Sequence, residues 1–493
     1  MKKRVSSKYN ISVPLKTGRR LVYNSLSGAS AVLGVNETIA LKEVERGTSQ
    51  DELSAQVLAE LEYGGFIVAD DVDELKSLER AYNAHRFDPR QATLTIAPTM
   101  ACNFGCDYCF QGQDKPNETM SSEVQDAIVN MIAHANPVLR NVGVAWYGGE
   151  PLLRKHVIES LSDRLISACK SKGFSYSASI VTNGYLLDVE TAGTLASRGV
   201  TTAQITIDGT PEIHDTRRHL LGGQGSFERI VSNLCDVVDV VPMTYSIRIN
   251  IDDRNAKNIR ELLDRMAGLG LGHRTNLKVY FAPIEAITEG CYVVEDVALG
   301  KSRYGELEAE LYRYVYDAGL TALPYPPRFH GTCAAVRPGG IVILPNGDLH
   351  KCWDTVSQPD RKVGTIFRLA ELAENELVGK WLRWTPFDNH TCRNCKLLPN
   401  CAGACAYKFI HADATRGEAA VLPCPSWKYN INERLLQRAE AVGEIARDEW
   451  DPVEVRTDPR ELCSDDVVGG GIPLPPEMQR HYEGQRLRLP VLR

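Results

Sequence analysis

Three cysteines with the spacing C-x3-C-x2-C stand in one short stretch of the chain. Residues 100–111 read MACNFGCDYCFQ and contain Cys102, Cys106 and Cys109. Thiolates this close in sequence converge when a metal or a metal cluster gathers them, and four-iron clusters usually take four cysteine thiolates. A triplet supplies three, so one iron is left open, which is typical of a catalytic metal site. A zinc site remains an alternative, although zinc sites favour paired C-x2-C units and no second pair lies nearby.

The residue before the third cysteine is aromatic, Tyr108. With it, the stretch resembles the signature of the radical S-adenosylmethionine (SAM) enzymes, C-x3-C-x-Φ-C, in which Φ is aromatic. The resemblance implies a [4Fe-4S] cluster on Cys102, Cys106 and Cys109, with SAM chelating the open iron. It also implies that an electron from the cluster cleaves SAM and that the 5′-deoxyadenosyl radical formed removes a hydrogen atom from the substrate.

Length and composition narrow the class of protein. A chain of 493 residues predicts two or three domains, and a net charge of −7 argues against nucleic-acid binding. No run of eighteen apolar residues is present and no apolar segment follows the basic start, so neither a membrane span nor a secretory signal is expected. Fourteen cysteines in an unexported chain indicate metal rather than disulfides, and hence a reducing cytoplasmic location.

Residues 1–90 are expected to form a small winged-helix-like α+β domain. Alternating apolar runs predict strands, and amphipathic patterns with the start signal Ser49–Glu52 predict helices. The strands are 11–15, 19–24 and 25–33, and the helices are 37–45, 49–63 and 72–86. The domain is either a structural cap or a module that binds a leader peptide as an added strand. Its order of elements is similar to the recognition domains of peptide-modifying enzymes.

Strands and helices alternate from residue 91 to residue 285, which predicts an α/β fold, a partial (β/α)6 barrel. The strands are 93–97, 142–146, 177–181, 202–207, 244–250 and 277–282, and the helices between them are 121–135, 155–169, 189–198, 227–237 and 258–266. Ligands of such sheets bind at the carboxyl ends of the strands. The triplet follows the first of these strands directly.

Short polar motifs follow the other strands. Alone, each would be an ordinary loop feature, but together and in this order they match the radical SAM core of the maturase type. By that resemblance, the turn after the second strand holds the SAM amino group, and Arg218 is a candidate partner of the SAM carboxylate. The candidate SAM contacts are Tyr108, Gly148, Gly149, Glu150, Pro151, Thr182, Asn183, Thr206, Asp208, Arg218 and Asn250.

Seven further cysteines lie between residues 333 and 424. Paired zinc knuckles are one explanation. The array also matches the pattern of the SPASM domain, a C-terminal iron–sulfur domain with two auxiliary [4Fe-4S] clusters, here over residues 333–450. The resemblance assigns Cys333, Cys352 and Cys405 to the first auxiliary cluster and Cys392, Cys395, Cys401 and Cys424 to the second.

The chain departs from that pattern at the fourth ligand of the first auxiliary cluster. The stretch 325–330, where several relatives place this ligand, has no cysteine. The ligand is therefore either Cys291 or no protein group. A predicted hairpin at 341–348 would bring Cys352 beside Cys333. A connecting region with one helix, 304–318, is expected at 286–332, and an extended or disordered tail at 451–493.

The resemblance as a whole implies a radical SAM/SPASM peptide maturase with three clusters and SAM as cofactors. Its substrate would be a ribosomally made precursor peptide with a leader, and its electron donor a flavodoxin or a ferredoxin. The alternatives are an anaerobic sulfatase-maturating enzyme that forms formylglycine and a non-catalytic zinc scaffold. In sulfatase-maturating enzymes an aspartate directly follows the cysteine equivalent to Cys352, whereas here Trp353 intervenes before Asp354.

Changing Cys102, Cys106 and Cys109 together to alanine tests the triplet. Protein purified without oxygen should carry about twelve iron atoms, and the variant should keep about eight while it loses all formation of 5′-deoxyadenosine from SAM. Iron analysis and chromatography of the nucleoside measure both. SAM cleavage that persists in the variant, or colourless protein with stoichiometric zinc, would contradict the assignment.

Overall fold

A computed structural model of the protein describes residues 3–48, 53–323, 326, 332–417 and 424–463. Three features of the sequence analysis lie wholly or largely outside the described residues. They are the start signal Ser49–Glu52, the cysteine-free stretch 325–330 and the tail beyond residue 463.

The strands of the described residues are numbered here in chain order. They are β1 (Arg4–Ser6), β2 (Asn10–Pro14), β3 (Arg20–Asn24), β4 (Ser30–Leu33), β5 (Ile67–Ala69), β6 (Gln91–Ile96), β7 (Asn141–Trp146), β8 (Ser175–Thr182), β9 (Val200–Thr206), β10 (Thr244–Ile251), β11 (Leu277–Pro283), β12 (Gly340–Ile343), β13 (Asp348–His350) and β14 (Gly364–Thr365).

The α-helices are numbered in the same way. They are α1 (Val35–Arg46), α2 (Ala55–Tyr63), α3 (Glu74–Arg86), α4 (Ser122–Ala133), α5 (Lys155–Lys172), α6 (Val189–Ala196), α7 (Pro211–Arg217), α8 (Phe227–Val238), α9 (Ile259–Gly268), α10 (Lys301–Asp317), α11 (Glu376–Arg383), α12 (His390–Asn394), α13 (Leu398–Cys401), α14 (Ala406–Ile410), α15 (Trp427–Ala441) and α16 (Pro459–Leu462).

The central sheet has the strand order β11-β10-β9-β8-β7-β6-β12-β13-β14. The six strands from β6 to β11 run parallel to their neighbours, as in a partial barrel. Their residues alternate between the helix-covered face and the inner face, so that Ile247 and Ile249 are fully buried in the core while Arg248 lies on the inner face. The predicted α/β fold class is confirmed.

The C-terminal part of the chain extends this same sheet. Strand β12 runs parallel to β6, with Ile341 opposite Leu94, and β13 returns antiparallel to β12. The predicted hairpin is therefore confirmed, but its pairing with β6 was not predicted. The pairing joins the cysteine-rich segment to the barrel through main-chain hydrogen bonds, for example from the Thr93 amide to the Gly339 carbonyl (2.8 Å).

The N-terminal unit has a three-stranded antiparallel sheet in the order β2-β3-β4, which confirms the predicted hairpin and third strand. Strand β5 follows the second helix and pairs with β1 in a separate small sheet, an addition to the predicted order of elements. One face of the β2-β3-β4 sheet packs on α1 and α2, and the other packs on α15. The unit thus lies against the cysteine-rich segment.

The segment that begins at residue 451 differs in part from the expected extended tail. Val455, Leu462 and Cys463 are buried against α15 and the N-terminal sheet, because these apolar side chains close one end of a shared core. Helix α15, which precedes this segment, ends at Ala441. Within the described residues, no helix is long and apolar enough to cross a membrane.

Arg86 at the end of α3 joins the N-terminal unit to the cysteine-rich segment. It is 2% exposed, and its guanidinium donates to the carbonyls of Val336 (2.8 Å) and Leu382 (2.7 Å). Without this guanidinium, the buried carbonyls would be unsatisfied and the charge-assisted hydrogen bonds would be lost. Each of these changes lowers the free energy of unfolding.

Arg86→Met should therefore destabilise the protein by about 2–4 kcal/mol, seen as a melting temperature lower by several degrees. Arg80→Met on the exposed face of the same helix is the matched control and should leave the melting temperature unchanged. Equal melting temperatures for the two variants would show that Arg86 does not carry this junction.

Candidate functional site

The three cysteines of the triplet line a single cavity at the carboxyl ends of the parallel strands. The cavity has a volume of about 380 Å³. Cys102, Cys106 and Cys109 lie on the loop that leaves β6, where the rule for parallel sheets places ligands. The cavity is also lined by Tyr108, Gly148, Gly149, Thr182, Asn183, Thr206, Arg218, Asn250 and Cys291, all of them predicted site residues.

Burial controls the chemistry of the triplet thiols. It raises the pKa of Cys106 to about 12 and also raises the pKa of Cys102. Thiolates in such a place need a nearby cation. One cation is the half-buried Lys115, whose own pKa the three thiolates raise against the effect of burial. A metal cluster would supply the remaining positive charge, so the donor set fits the predicted cluster.

Two glycines bring the turn after β7 into contact with the triplet loop. A Cβ atom on Gly149 would lie 2.2 Å from the carbonyl oxygens of both Met100 and Ala101, and Gly148 has a φ of +140°. Only glycine allows this approach and this backbone conformation. The glycines therefore allow the two loops to pack closely, and they also line the cavity. Their contact with SAM stays a prediction.

Glu150 and Pro151 lie behind the cavity wall. The Glu150 carboxylate is fully buried and accepts hydrogen bonds from the Leu152 amide (3.0 Å), the Thr182 hydroxyl (2.8 Å) and the Asn183 amide (2.7 Å). Pro151 begins a short 3₁₀ helix. Glu150 thus ties the glycine turn to the end of β8 and is not among the cavity-lining residues in this structure.

A polar network surrounds Tyr108. Its hydroxyl donates to the buried carboxylate of Asp208 and accepts from Arg218 Nη1 (2.7 Å) and Asn250 Nδ2 (3.4 Å). The Asp208 carboxylate also accepts from the Asn250 amide (2.9 Å). Asp208 lies behind the wall, where it positions Tyr108 and Asn250.

Three buried polar atoms of side chains that line the cavity have no partner among the described residues. They are Arg218 Nε, Gln111 Oε1 and Trp353 Nε1. Arg218 lies beside Cys106 and Tyr108, and the Gln111 amide is held by its Nε2, which donates to the Gly148 carbonyl (3.0 Å). A bound ligand with a carboxylate and an amino group, as SAM has, would fit unsatisfied groups of this kind.

Sequence reasoning missed several residues of the cavity wall. Gln204 and Arg248 line it because they stand two residues before Thr206 and Asn250 and therefore on the same face of their strands. Strand alternation could have found both. Trp353 and Asp354 reach the cavity from the cysteine-rich segment, and no sequence signal placed them there.

The indole of Trp353 packs against the glycine turn and the triplet loop. Its ring centroid lies 4.1 Å from that of Tyr147 and 6.4 Å from that of Phe110. The neighbouring Asp354 is half-buried, and this burial raises its pKa to about 6. The Cys352 thiol donates to its carboxylate (3.6 Å). The cavity therefore has one wall from the barrel and one from the cysteine-rich segment.

Four of the C-terminal cysteines surround a second, smaller cavity. They are Cys392, Cys395, Cys401 and Cys424, the set assigned to the second auxiliary cluster. Burial raises the pKa of Cys401 to about 11. Lys428 lines the same cavity. Burial lowers its pKa, but the thiolates of Cys424 and Cys395 outweigh that effect and raise it.

The set assigned to the first auxiliary cluster also converges. The pKa of Cys352 is raised, mainly by burial. The neighbouring negative charges of Asp354, Cys405 and Cys333 raise it further. Cys291 instead lies in the wall of the larger cavity, where its thiol donates to the Thr288 carbonyl (3.3 Å).

The remaining cysteines lie elsewhere. Cys169 is buried in α5 and Cys235 is half-buried in α8, while the Cys463 thiol donates to the Thr391 carbonyl (3.3 Å). Across the described part of the chain, no three Cys, His, Asp or Glu side chains come close enough to hold a single metal ion. Two of the cysteine sets line cavities instead.

Comparison with known proteins identifies the domain. The profile of the radical SAM superfamily matches residues 96–266. The chain is 22% identical over 327 residues to a serine-type anaerobic sulfatase-maturating enzyme of Klebsiella aerogenes, covering 62% of this chain and 77% of that protein. It is 25% identical over 265 residues to a probable GTP 3′,8-cyclase of Saccharolobus solfataricus, covering 52% and 75%.

A solved structure shares the fold. It is native anSMEcpe with bound AdoMet and Kp18Cys peptide, with a TM-score of 0.53 and 19% identity, covering 71% of this chain and 98% of that chain. The two relatives named above are called after different reactions, sulfatase maturation and GTP 3′,8-cyclisation. The likeness to the solved structure therefore establishes the fold alone, and the profile match establishes a radical SAM domain over residues 96–266. Neither identifies the substrate.

Gly149→Ala tests the contact between the glycine turn and the triplet loop. The added methyl group has only backbone to displace, so the loop must shift, and we expect SAM affinity to fall at least tenfold with loss of iron from the triplet. Equilibrium binding of SAM and iron analysis measure the two effects. Gly193→Ala, where a Cβ meets nothing within 4 Å, is the control and should be neutral or slightly stabilising. Unchanged SAM binding in Gly149→Ala would contradict this role.

Proposed function

The chain carries a radical SAM domain, and we propose that it is a SPASM-type peptide maturase. It abstracts hydrogen from a ribosomally made precursor peptide and installs a cross-link, such as a thioether, C–C or C–O bond, or a related oxidation. The observation that carries the proposal is the composite cavity, with the triplet thiols and Arg218 on one side and Trp353 and Asp354 on the other. The volume of the cavity, about 380 Å³, lies within the range of small-molecule binding sites.

The proposed roles follow from the positions of the side chains. Cys102, Cys106 and Cys109 would hold the cluster, and Arg218 and Gln111 would bind polar groups of SAM. Bound there, the cluster and SAM supply a reducing electron and a 5′-deoxyadenosyl radical. Trp353 closes the cavity against water by packing on Tyr147.

The N-terminal unit is the proposed site of the leader peptide. In its sheet the amide of Asn24 donates to the Ala29 carbonyl, so by alternation the amides of Ser30 and Val32 point away from β3. No described strand pairs with that edge of β4. An extended peptide can add there as a further strand.

Exposed apolar side chains lie near the same edge. Helix α1 begins directly after β4 and leaves Val35 53% and Ile39 51% exposed. They would contact apolar side chains of the leader. The peptide bound in the anSMEcpe structure supports a peptide substrate for this fold.

The two C-terminal cysteine sets are the proposed sites of the auxiliary clusters. They lie in the segment that forms the far wall of the cavity, so they can take an electron back from the oxidised substrate. We place the protein in the cytoplasm with a flavodoxin or ferredoxin as electron donor, since iron–sulfur clusters need a reducing compartment.

Formation of formylglycine is a second candidate. Despite the intervening Trp353, the Asp354 carboxylate reaches the cavity, and a curated relative carries that activity in its name. An assay with a sulfatase-derived peptide that carries the target serine or cysteine distinguishes formylglycine formation from cross-linking. Trapping of an aldehyde product with a hydrazide would favour this second reaction.

The experiment that tests the proposal uses a candidate precursor peptide encoded by a short reading frame beside the gene. Incubated with enzyme, SAM and reductant, the peptide should lose two hydrogens, measured by mass spectrometry, because a cross-link forms by net oxidation. An unchanged mass with inverted residues would indicate epimerisation instead and would contradict cross-linking.

The same assay tests the leader site. Val32→Pro removes an outward amide, whereas Val32→Ala removes comparable side-chain contacts and keeps the amide. We expect the proline variant to bind labelled peptide at least tenfold more weakly than the alanine variant, with SAM cleavage retained in both. Equal affinities would exclude strand addition at β4.

A further inference from the structure

The cavity of the second cysteine set contains a buried cation. Lys428, near the start of α15, is 4% exposed and lines this cavity with Cys392, Cys395, Cys401 and Cys424. Its backbone is fixed by a hydrogen bond from its amide to the Pro425 carbonyl (3.0 Å). The ammonium group is therefore held at the cysteine set rather than in solvent.

Among the described residues, no carboxylate forms an ion pair with this ammonium group. The neighbouring charges that act on it are those of Cys424, Cys395, Cys463 and Cys392. An isolated ammonium is costly to bury, so its charge must be balanced by the cysteine sulfurs. Four thiolates on a [4Fe-4S]²⁺ cluster carry a net charge of −2, and one more electron makes it −3.

The other cysteine sets have lysines in different settings. The buried Lys351 beside Cys333 donates to the carbonyls of Arg337 (2.7 Å) and Gly340 (2.5 Å), so main-chain dipoles already satisfy it. Lys115 at the triplet is only half-buried. Lys428 differs from both because its surroundings offer it little besides sulfur.

We propose that Lys428 sets the reduction potential of the cluster at Cys392, Cys395, Cys401 and Cys424. A fixed positive charge stabilises the reduced, more negative form more than the oxidised form and so raises the potential. This makes the four-cysteine cluster an electron acceptor within the protein. The inference rests on the proposed function, since it assumes that the second set binds a cluster.

The redox step involves one electron. The cluster passes from the 2+ to the 1+ state, and the electron comes from dithionite through mediators in the experiment, or from the substrate through the first auxiliary cluster in turnover. No proton or bond is exchanged. Lys428 is thus a positioning charge and not a catalytic residue.

The test is a redox titration followed by electron paramagnetic resonance. It uses the Cys102, Cys106 and Cys109 alanine variant, so that only auxiliary clusters report. Lys428→Met should lower the equilibrium constant for reduction of one cluster at least tenfold, about 59 mV for one electron, and leave the other unchanged. Lys428→Arg, which keeps the charge, should restore most of the shift.

Lys396 provides the matched control. It follows Cys395 directly but is only half-buried and does not line the cavity, so Lys396→Met should shift the potential less than Lys428→Met does. If Lys428→Met fails to retain its cluster, Lys428→Gln replaces it in the same titration. The shift in potential should be the same in the triple alanine variant and in the enzyme with an intact triplet. In the intact enzyme, the signal of the triplet cluster is recognised because it responds to SAM.

Iron analysis separates the two ways in which the idea can fail. A protein without iron at the four cysteines would refute the cluster assignment in the proposed function. Full iron content with an unchanged potential in Lys428→Met would refute the role of Lys428 and leave the cluster assignment intact. A shift in Lys396→Met as large as that in Lys428→Met would have the same meaning.

Discussion

The parallel pairing of β12 with β6 is the constraint on which the site depends. Strand β6 leads into the triplet loop, and β12 leads through its hairpin to Cys352, Trp353 and Asp354. Because both strands end at the same edge of one sheet, the two cysteine-bearing segments must face each other across the cavity. Glycine at 339 permits the pairing, since a Cβ there would lie 2.4 Å from the Gln91 carbonyl.

Two buried carboxylates of the site hold loops in place and do not line the cavity. Glu150 and Asp208 are fully buried, and both carboxylates are occupied by main-chain and side-chain donors of neighbouring strand ends. Buried charges need such partners. By contrast, Arg218 Nε and Gln111 Oε1 belong to side chains that line the cavity and have no partner among the described residues. This division separates the carboxylates that position the site from the atoms that can bind SAM.

Charge balance links the cysteine sets to their surroundings. Burial raises the thiol pKa of Cys106 in the triplet, of Cys352 in the first auxiliary set and of Cys401 in the second, so each set favours a cationic occupant. The lysines beside the sets differ in exposure and in partners, and clusters held there would accordingly differ in how easily they take an electron. The N-terminal unit packs on the cysteine-rich segment and leaves one sheet edge open.

The sequence by itself determined the fold class and the triplet. Periodicity located the strands and helices of the core, because each buries one face, and the spacing of Cys102, Cys106 and Cys109 depends only on a local loop. Cys392, Cys395, Cys401 and Cys424, which the resemblance assigned to one cluster, line one cavity in the structure. The ligand role of these cysteines stays a prediction.

The tertiary structure alone decided which wall faces the triplet. The sequence could not place Trp353 and Asp354 in the cavity, since they arrive through pairing of strands that are more than two hundred residues apart in the chain. Nor could it assign Glu150 and Asp208 to the back of the wall, because a motif names a residue and not the direction in which its side chain points. Contacts between distant segments are set by packing, and packing is not readable from local spacing.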